Sequence, residues 1–241
     1  MMKVFVAGAT GATGKKLVKL LLKSGHKVVA VVRSTERVPP EIRTDKNIEL
    51  VQASLLDLTD KELSNLVAGC SAVASCLGHN ITFKGLFGKP HLLVTNAARR
   101  LCQAIMANQN PHPVRYVLMN TTGNRNRDLN ERFSFSESLV MGLMRTMLPP
   151  QRDNEQAAEF LRVEIGQDHP AVEWVAVRPD TLIDENEVTD YSVHKSPTRS
   201  AIFDSGITSR INVAHFMSEL ISNDDVWEKW KGQMPVIYNK E

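Results

Sequence analysis

Along the 241-residue chain, short apolar runs alternate with longer stretches in which apolar residues recur every three or four positions. The short runs at residues 4–7, 28–32, 48–52, 71–76, 114–119 and 173–177 read as strands, and the first, Val4 to Ala7, has no polar alternation, as strands buried on both faces do. Residues 15–24, 60–67, 92–107 and 153–164 carry the helical period instead. In the first, Leu17, Val18, Leu20, Leu21 and Leu22 oppose Lys15, Lys16, Lys19 and Lys23, a buried stripe with a solvated back. In the third, Val94, Ala97, Ala98, Leu101, Ala104 and Ile105 share one face. Gly25, Gly69 and the pair Pro111 and Pro113 are the expected stops. Asn212 is expected to cap a last helix bearing Val213, Phe216, Met217, Leu220 and Ile221, after which MPVIYNK forms a final strand. Strand and helix alternate nearly throughout, which predicts an α/β fold, a doubly wound parallel sheet with helices on both faces.

Three stretches depart from this alternation. STERVPPEIRTDKN is polar and broken by Pro39 and Pro40, so it reads as a loop with at most a short helix. Within SESLVMGLMRTML, the residues Leu139, Val140, Leu143, Met144 and Met147 make an apolar stripe, assigned to the core in preference to a substrate lid or a dimer surface. Residues 185–204 turn polar and hold Tyr191 and His194 in a short strand pair. The whole chain is read as one domain, with substrate-side segments at about 79–90, 124–150 and 185–210, the last a small C-terminal extension.

The first strand runs directly into Gly8, Gly11 and Gly14, spaced three apart. The first glycine permits a sharp exit from the strand, the second lets a pyrophosphate approach the backbone, and the third lets helix pack on strand. Thr10 and Thr13 add hydroxyl donors, and the helix N-terminus behind them favours an anion. A strand before the triplet, a helix after it and a second apolar strand beyond are the context that makes such a triplet a dinucleotide site. The end of the second strand selects the dinucleotide. A carboxylate there would accept from the ribose 2′-hydroxyl of NAD, but the chain offers Arg33 and Ser34, with Arg37 close by, which suits the 2′-phosphate of NADP.

Further candidates lie at the carboxyl ends of the later strands. Asp57, just past the third strand, can accept from an adenine amino group, and a helix-capping role for it or for Thr59 is compatible with that. The fourth strand ends in Cys76, Leu77 and Gly78, small enough at this edge to leave room for a ribose. His79 and Asn80 follow, and His79 reads as a surface histidine in preference to a catalytic one. Phe83, Leu86 and Phe87 are candidates for lining a substrate pocket, and Thr121 and Thr122 follow the fifth strand at the same edge.

Composition narrows the classes. Against 29 basic residues stand 27 acidic ones, a net charge of +2 that offers no broad field to nucleic acid or a membrane surface. Cys70, Cys76 and Cys102 are odd in number and lack metal-type or C-x-x-C spacing, which fits reduced thiols in a cytoplasmic protein. No apolar run reaches membrane length, and no metal site is expected. The expected partner is a small-molecule substrate, with a homodimer or a regulatory protein partner left open.

GATGATG, VVRS, LLDL after the third strand, TTG after the fifth and VRPDTLID after the sixth together resemble the atypical short-chain dehydrogenase/reductases, in particular their NmrA-like and flavin/biliverdin reductase-like members. The resemblance covers nearly the whole chain and implies a Rossmann-type fold. It implies that Gly8, Thr10, Gly11, Ala12, Thr13 and Gly14 hold the pyrophosphate, Arg33 the 2′-phosphate, and Asp57 and Leu58 the adenine. It implies further that Cys76, Leu77 and Gly78 touch the ribose and that Pro179, Thr181 and Leu182 meet the carboxamide through backbone. Thr121 or Thr122 would face the nicotinamide as the catalytic hydroxyl. The departure from the family is specific: the positions where a Tyr-x-x-x-Lys pair would stand hold Gln151 and Glu155, and neither can donate a proton as that tyrosine does. The leading expectation is therefore an NADPH-dependent reductase without that pair. The alternative is an NADP(H)-sensing regulatory binder without turnover, and a nucleotide-sugar epimerase is disfavoured because it generally wants the absent tyrosine.

Overall fold

The computed structural model describes residues 1–79, 88, 90–132 and 134–240. The expectations for Asn80, Phe83, Leu86 and Phe87 fall outside the described residues.

Strand β1 (Lys3–Ala7) buries Phe5 and Ala7 in one cluster and Val4 and Val6 in another, so each face of the strand is covered. Strand β2 (Lys27–Val32) repeats the division, with Val29 and Val31 on the first side and Val28, Ala30 and Val32 on the second. This two-sided burial is why these runs lack polar alternation. The helix α1 (Gly14–Lys23) joins them, burying Leu17, Val18, Leu21 and Leu22, and it ends at Gly25, whose φ of +77° a side chain would resist.

Next come the short helix α2 (Pro40–Arg43), strand β3 (Ile48–Gln52), helix α3 (Asp60–Val67) and strand β4 (Ala72–Ser75). Thr59 caps α3 reciprocally with Glu62, so capping at this turn belongs to Thr59. Helix α4 (Leu93–Ala107), strand β5 (Val114–Met119), helices α5 (Phe135–Met147) and α6 (Pro149–Glu159), and strand β6 (Val172–Pro179) follow. Beyond them lie β7 (Thr181–Ile183), β8 (Tyr191–His194), β9 (Ile207–Ser209), α7 (Arg210–Ser222), α8 (Asp224–Trp230) and β10 (Val236–Asn239).

Among the described residues the main sheet has the order β3-β2-β1-β4-β5-β6-β10-β8, and β7 with β9 forms a separate pair. Helices α3, α4 and α6 supply the first core cluster, and α1, α7 and α8 the second, on the opposite face. The doubly wound parallel reading therefore holds, with one exception. Strand β8 pairs antiparallel with β10 as the sheet edge, so the expected strand pair at Tyr191 and His194 is made with the C-terminal strand.

Three further expectations are corrected. Helix α6 begins at Pro149 rather than Asp153, because proline's fixed φ suits a first helical turn where no N–H is needed. The last long helix is capped by Ser209, whose hydroxyl accepts from the N–H of Asn212; Asn212 itself is buried and binds Thr189 and Asn239. The stripe on α5 is not core. Phe135 is 89%, Leu139 69%, Leu143 58% and Met147 59% exposed, while Met141 is the residue that turns inward. Periodicity establishes that a helix has an apolar side, but not which body that side meets.

Candidate functional site

The chain leaves β1 in one direction to β2 and β3 and in the other to β4, β5 and β6, so the strand order reverses between β1 and β4. In open α/β sheets ligands bind beyond the carboxyl ends of the strands at such a point. Gly8 stands there with φ of +80°, and a Cβ on it would lie 2.7 Å from the carbonyl oxygen of Cys76. A Cβ on Gly14 would lie 2.1 Å from the carbonyl oxygen of Gly8. The turn closes through a 2.9 Å hydrogen bond from the Gly11 N–H to the Gly8 carbonyl. Helix α1 then opens with no side-chain cap and no acidic residue in its first turn, leaving its N-terminal dipole uncompensated for an anion.

A cavity of about 620 Å³ extends from this turn. Gly8, Thr10, Gly11, Arg33, Arg37, Asp57, Cys76, Leu77, Gly78 and His79 are among its lining residues. Its size falls within the range of cofactor clefts, roughly 300–1,000 Å³. At one end the exposed Arg33 and Arg37 face the loop carrying Asp57. That loop is pinned from below by Arg100 of α4, whose guanidinium donates to the carbonyls of Leu55 (3.0 Å), Leu56 (2.9 Å) and Leu58 and pairs with Asp60. Sequence reading passed over Arg100, because an arginine on a helix reads as solvated. Leu58 packs its side chain on the core and, with Ala12, Thr13, Gly14 and Ser34, does not line the cavity. Thr13 and Gly14 are buried beneath the turn, where Gly14 lets the helix close on it.

At the other end, Cys76 presents its backbone. Its thiol packs against Met217, and burial pushes its pKa up to about 12, so it stays a neutral thiol. His79 is not a surface residue. Its side chain is 5% exposed, and Nε2 lies 2.8 Å from Oδ2 of the fully buried Asp153 on α6. The same carboxylate accepts the N–H groups of Val94 (2.8 Å) and Thr95 (2.9 Å) at the start of α4, and the Thr95 hydroxyl donates to the Asp153 carbonyl. Asp153 carried no sequence signal, since a buried acid inside a polar helical stretch looks like any solvated one.

The exits of β5 and β6 are adjacent, because the Thr122 N–H donates to the carbonyl of Pro179 at 3.1 Å. Thr122 is buried and its hydroxyl bonds Asp180, while Thr121 Oγ1 accepts from the N–H of Gly123. Burial raises the pKa of Asp180 above the ordinary carboxylate value, against the pull of the Gly206 N–H and the Thr122 hydroxyl. Thr181 pairs into β7 and Leu182 packs on the core, so neither these residues nor the two threonines line the cavity. Gln151 and Glu155 lie one helical turn apart on α6, over this edge. Gln151 donates to the carbonyl of Gly123 and to Oδ1 of Asn124, both at 3.1 Å, and Glu155 holds Arg145 through two hydrogen bonds. Among the described residues no cluster of three or more His, Cys, Asp or Glu can hold a metal, and no helix is long and apolar enough to cross a membrane.

Residues 8–224 match the model of a family described as NAD(P)H-binding. Over 74 residues the chain is 39% identical to an uncharacterized chloroplastic protein of Arabidopsis thaliana, At2g34460; that stretch is 31% of this chain and spans only 26% of the relative. Solved structures with the same fold include the oxidoreductase ylbE from Lactococcus lactis (TM-score 0.69, 20% identity, 100% of this chain and 92% of that one). A short-chain dehydrogenase/reductase from Veillonella parvula in complex with NADP superposes with TM-score 0.71 at 16% identity, over 99% of this chain and 94% of that one. ChuY, an anaerobillin reductase from Escherichia coli O157:H7, gives 0.68 at 16%, over 99% and 98%.

Proposed function

Because the chain belongs to this NAD(P)H-binding family, we propose that it is an NADPH-dependent reductase of a small conjugated or carbonyl-type acceptor. The observation that carries this reading is that one cavity is lined both by the glycine turn and by two arginines, with no competing acid on β2. Arg33 and Arg37 suit a 2′-phosphate, the uncapped start of α1 suits the pyrophosphate, and Asp57 on its pinned loop suits an adenine amino group. When bound, the nicotinamide supplies a hydride, and the protein's contribution is to orient the acceptor and exclude water. Similarity to the Veillonella protein, solved in complex with NADP, and to the Escherichia anaerobillin reductase supports the choice of cofactor and reaction class. The test is NADPH consumption by purified protein across quinones, flavins, biliverdins and carbonyl compounds; no turnover with any of them would sink the proposal.

A second reading is favoured by one feature. Gln151 and Glu155 occupy the positions of the missing tyrosine and lysine, and both are tied up in hydrogen bonds. A protein that binds NADP(H) without turnover and passes its oxidation state to a protein partner would need no proton donor there. Partner affinity that differs between NADP and NADPH would support this, and equal affinity would count against it.

A further inference from the structure

We propose that Arg100 on α4 is a positioning residue that makes the site select adenine among purines. Its guanidinium holds the loop at residues 54–58 by the carbonyls, so that the Asp57 carboxylate and the Leu56 N–H are offered together to one edge of the base. The inference rests on the NADPH reading and adds base selection to it.

The loop starts beside the second strand, where the Ala53 N–H donates at 3.0 Å to the carbonyl of Val32, the residue before Arg33. Ala53, Ser54, Leu55, Leu56 and Asp57 all line the cavity. Arg100 meets the loop from α4, with its side chain 19% exposed. One terminal nitrogen donates to the carbonyls of Leu55 (3.0 Å) and Leu56 (2.9 Å), the other to the carbonyl of Leu58 and to Oδ1 of Asp60. In a planar trans peptide the N–H points opposite to the carbonyl that shares its bond. Three carbonyls turned toward Arg100 therefore turn the N–H groups of Leu56, Asp57 and Thr59 away from it. That of Asp57 closes the turn onto the Ser54 carbonyl at 3.0 Å, and that of Thr59 is taken by Glu62 at 2.7 Å. That of Leu56 bonds to no described residue. One backbone donor beside one carboxylate thus remains on the side away from α4.

This pair matches one purine. Adenine presents its C6 amino donor next to the N1 acceptor, whereas hypoxanthine presents an O6 acceptor next to an N1–H donor. Adenine sets donor against acceptor twice over, and hypoxanthine sets like against like. Securing the start of α3 does not account for Arg100, because the reciprocal cap of Thr59 and Glu62 already does that. The cap and the turn leave the carbonyls of Leu55, Leu56 and Leu58 unheld, and the arginine fork is what fixes them. Asp60 is 92% exposed, so its ion pair with Arg100 contributes little beside the carbonyl bonds. Lysine would supply the charge from a single nitrogen and cannot span these carbonyls.

The test is titration with NADPH and with deamino-NADPH, its hypoxanthine counterpart. The unaltered protein is expected to prefer NADPH by at least about tenfold, the worth of one hydrogen bond to a charged group. R100K and R100M are expected to bring the two affinities within about threefold of each other by weakening NADPH alone, while D60N keeps the preference. Equal affinities in the unaltered protein, a preference kept in R100K or R100M, or a preference lost in D60N would overturn the inference. So would loss of both dinucleotides by the same factor in the Arg100 variants, which is what an arginine serving only the fold would give. Failure of the NADPH reading looks different, because the unaltered protein would then bind neither dinucleotide.

Discussion

Gly8 and Gly25 have nearly the same backbone, φ of +80° and +77°, but different surroundings. A Cβ on Gly8 would meet Cys76 oxygen at 2.7 Å, Cys76 carbon at 2.8 Å and Leu77 nitrogen at 3.0 Å, all backbone atoms that no side-chain rotation can clear. A Cβ on Gly25 would meet nothing within 4 Å. Both alanine variants incur the left-handed strain of about 1–2 kcal/mol. Both also lose the same flexibility in the unfolded chain, so their difference isolates the collision. Overpacking adds about 1–3 kcal/mol to Gly8→Ala alone, for a total of about 2–5 kcal/mol. For a chain of this size, that corresponds to a melting temperature roughly 4–20 °C lower, against roughly 2–8 °C for Gly25→Ala.

The collision also falls on the cavity. Relieving it pushes Cys76 and Leu77, which line that wall, away from the glycine turn. Gly8→Ala is therefore expected to weaken NADPH binding at least about tenfold, or ~1.4 kcal/mol, while Gly25→Ala leaves it unchanged. Thermal denaturation and fluorescence titration with NADPH read both effects. Equal destabilisation and equal affinity in the two variants would refute the claim that close backbone approach, not merely positive φ, is what Gly8 is for.

Three other outcomes are expected. Arg33→Glu should weaken NADPH by about 1.5–3 kcal/mol, the worth of charge-assisted hydrogen bonds, and spare NADH, as read by titration with each. The chain's three tyrosines, Tyr116, Tyr191 and Tyr238, all have pKa values raised chiefly by burial, Tyr191 from 10.0 to about 12. A group that holds its proton more tightly when folded contributes stability that is intact below pH 10 and is lost as pH rises towards 12, so tyrosinate absorbance should appear together with unfolding. Leu143→Ser should cost no more than about 0.5 kcal/mol by chemical denaturation, whereas Leu101→Ala, in the fully buried face of α4, should cost about 2–5 kcal/mol.

The strands, their parallel order and the glycine turn were legible because each rests on local chemistry: unalternating apolar runs need two covering layers, and the turn needs glycine. The Arg33 end of the cavity was legible for the same reason, as the residue after a strand is placed by the strand itself. His79 and Asp153 were not. They lie 74 positions apart and meet only because α6 packs against the start of α4, a contact no local pattern encodes. Likewise the α5 stripe was visible as a stripe, but its exposure depends on which side of the helix faces α6, to which it is tied by the Arg145–Glu155 pair, and Met141 is the residue that is buried. The antiparallel β8 edge was not legible because its partner is the last strand of the chain, with Tyr191 opposite Asn239 and His194 opposite Val236, a register that only the folded sheet defines.

The most direct test is titration of the unaltered protein with NADPH and NADH in parallel. A guanidinium at position 33 beside the glycine turn predicts saturable binding of both, with NADPH the tighter. Failure of either dinucleotide to bind at millimolar concentration would contradict the account at its root, and a preference for NADH would overturn the role given to Arg33.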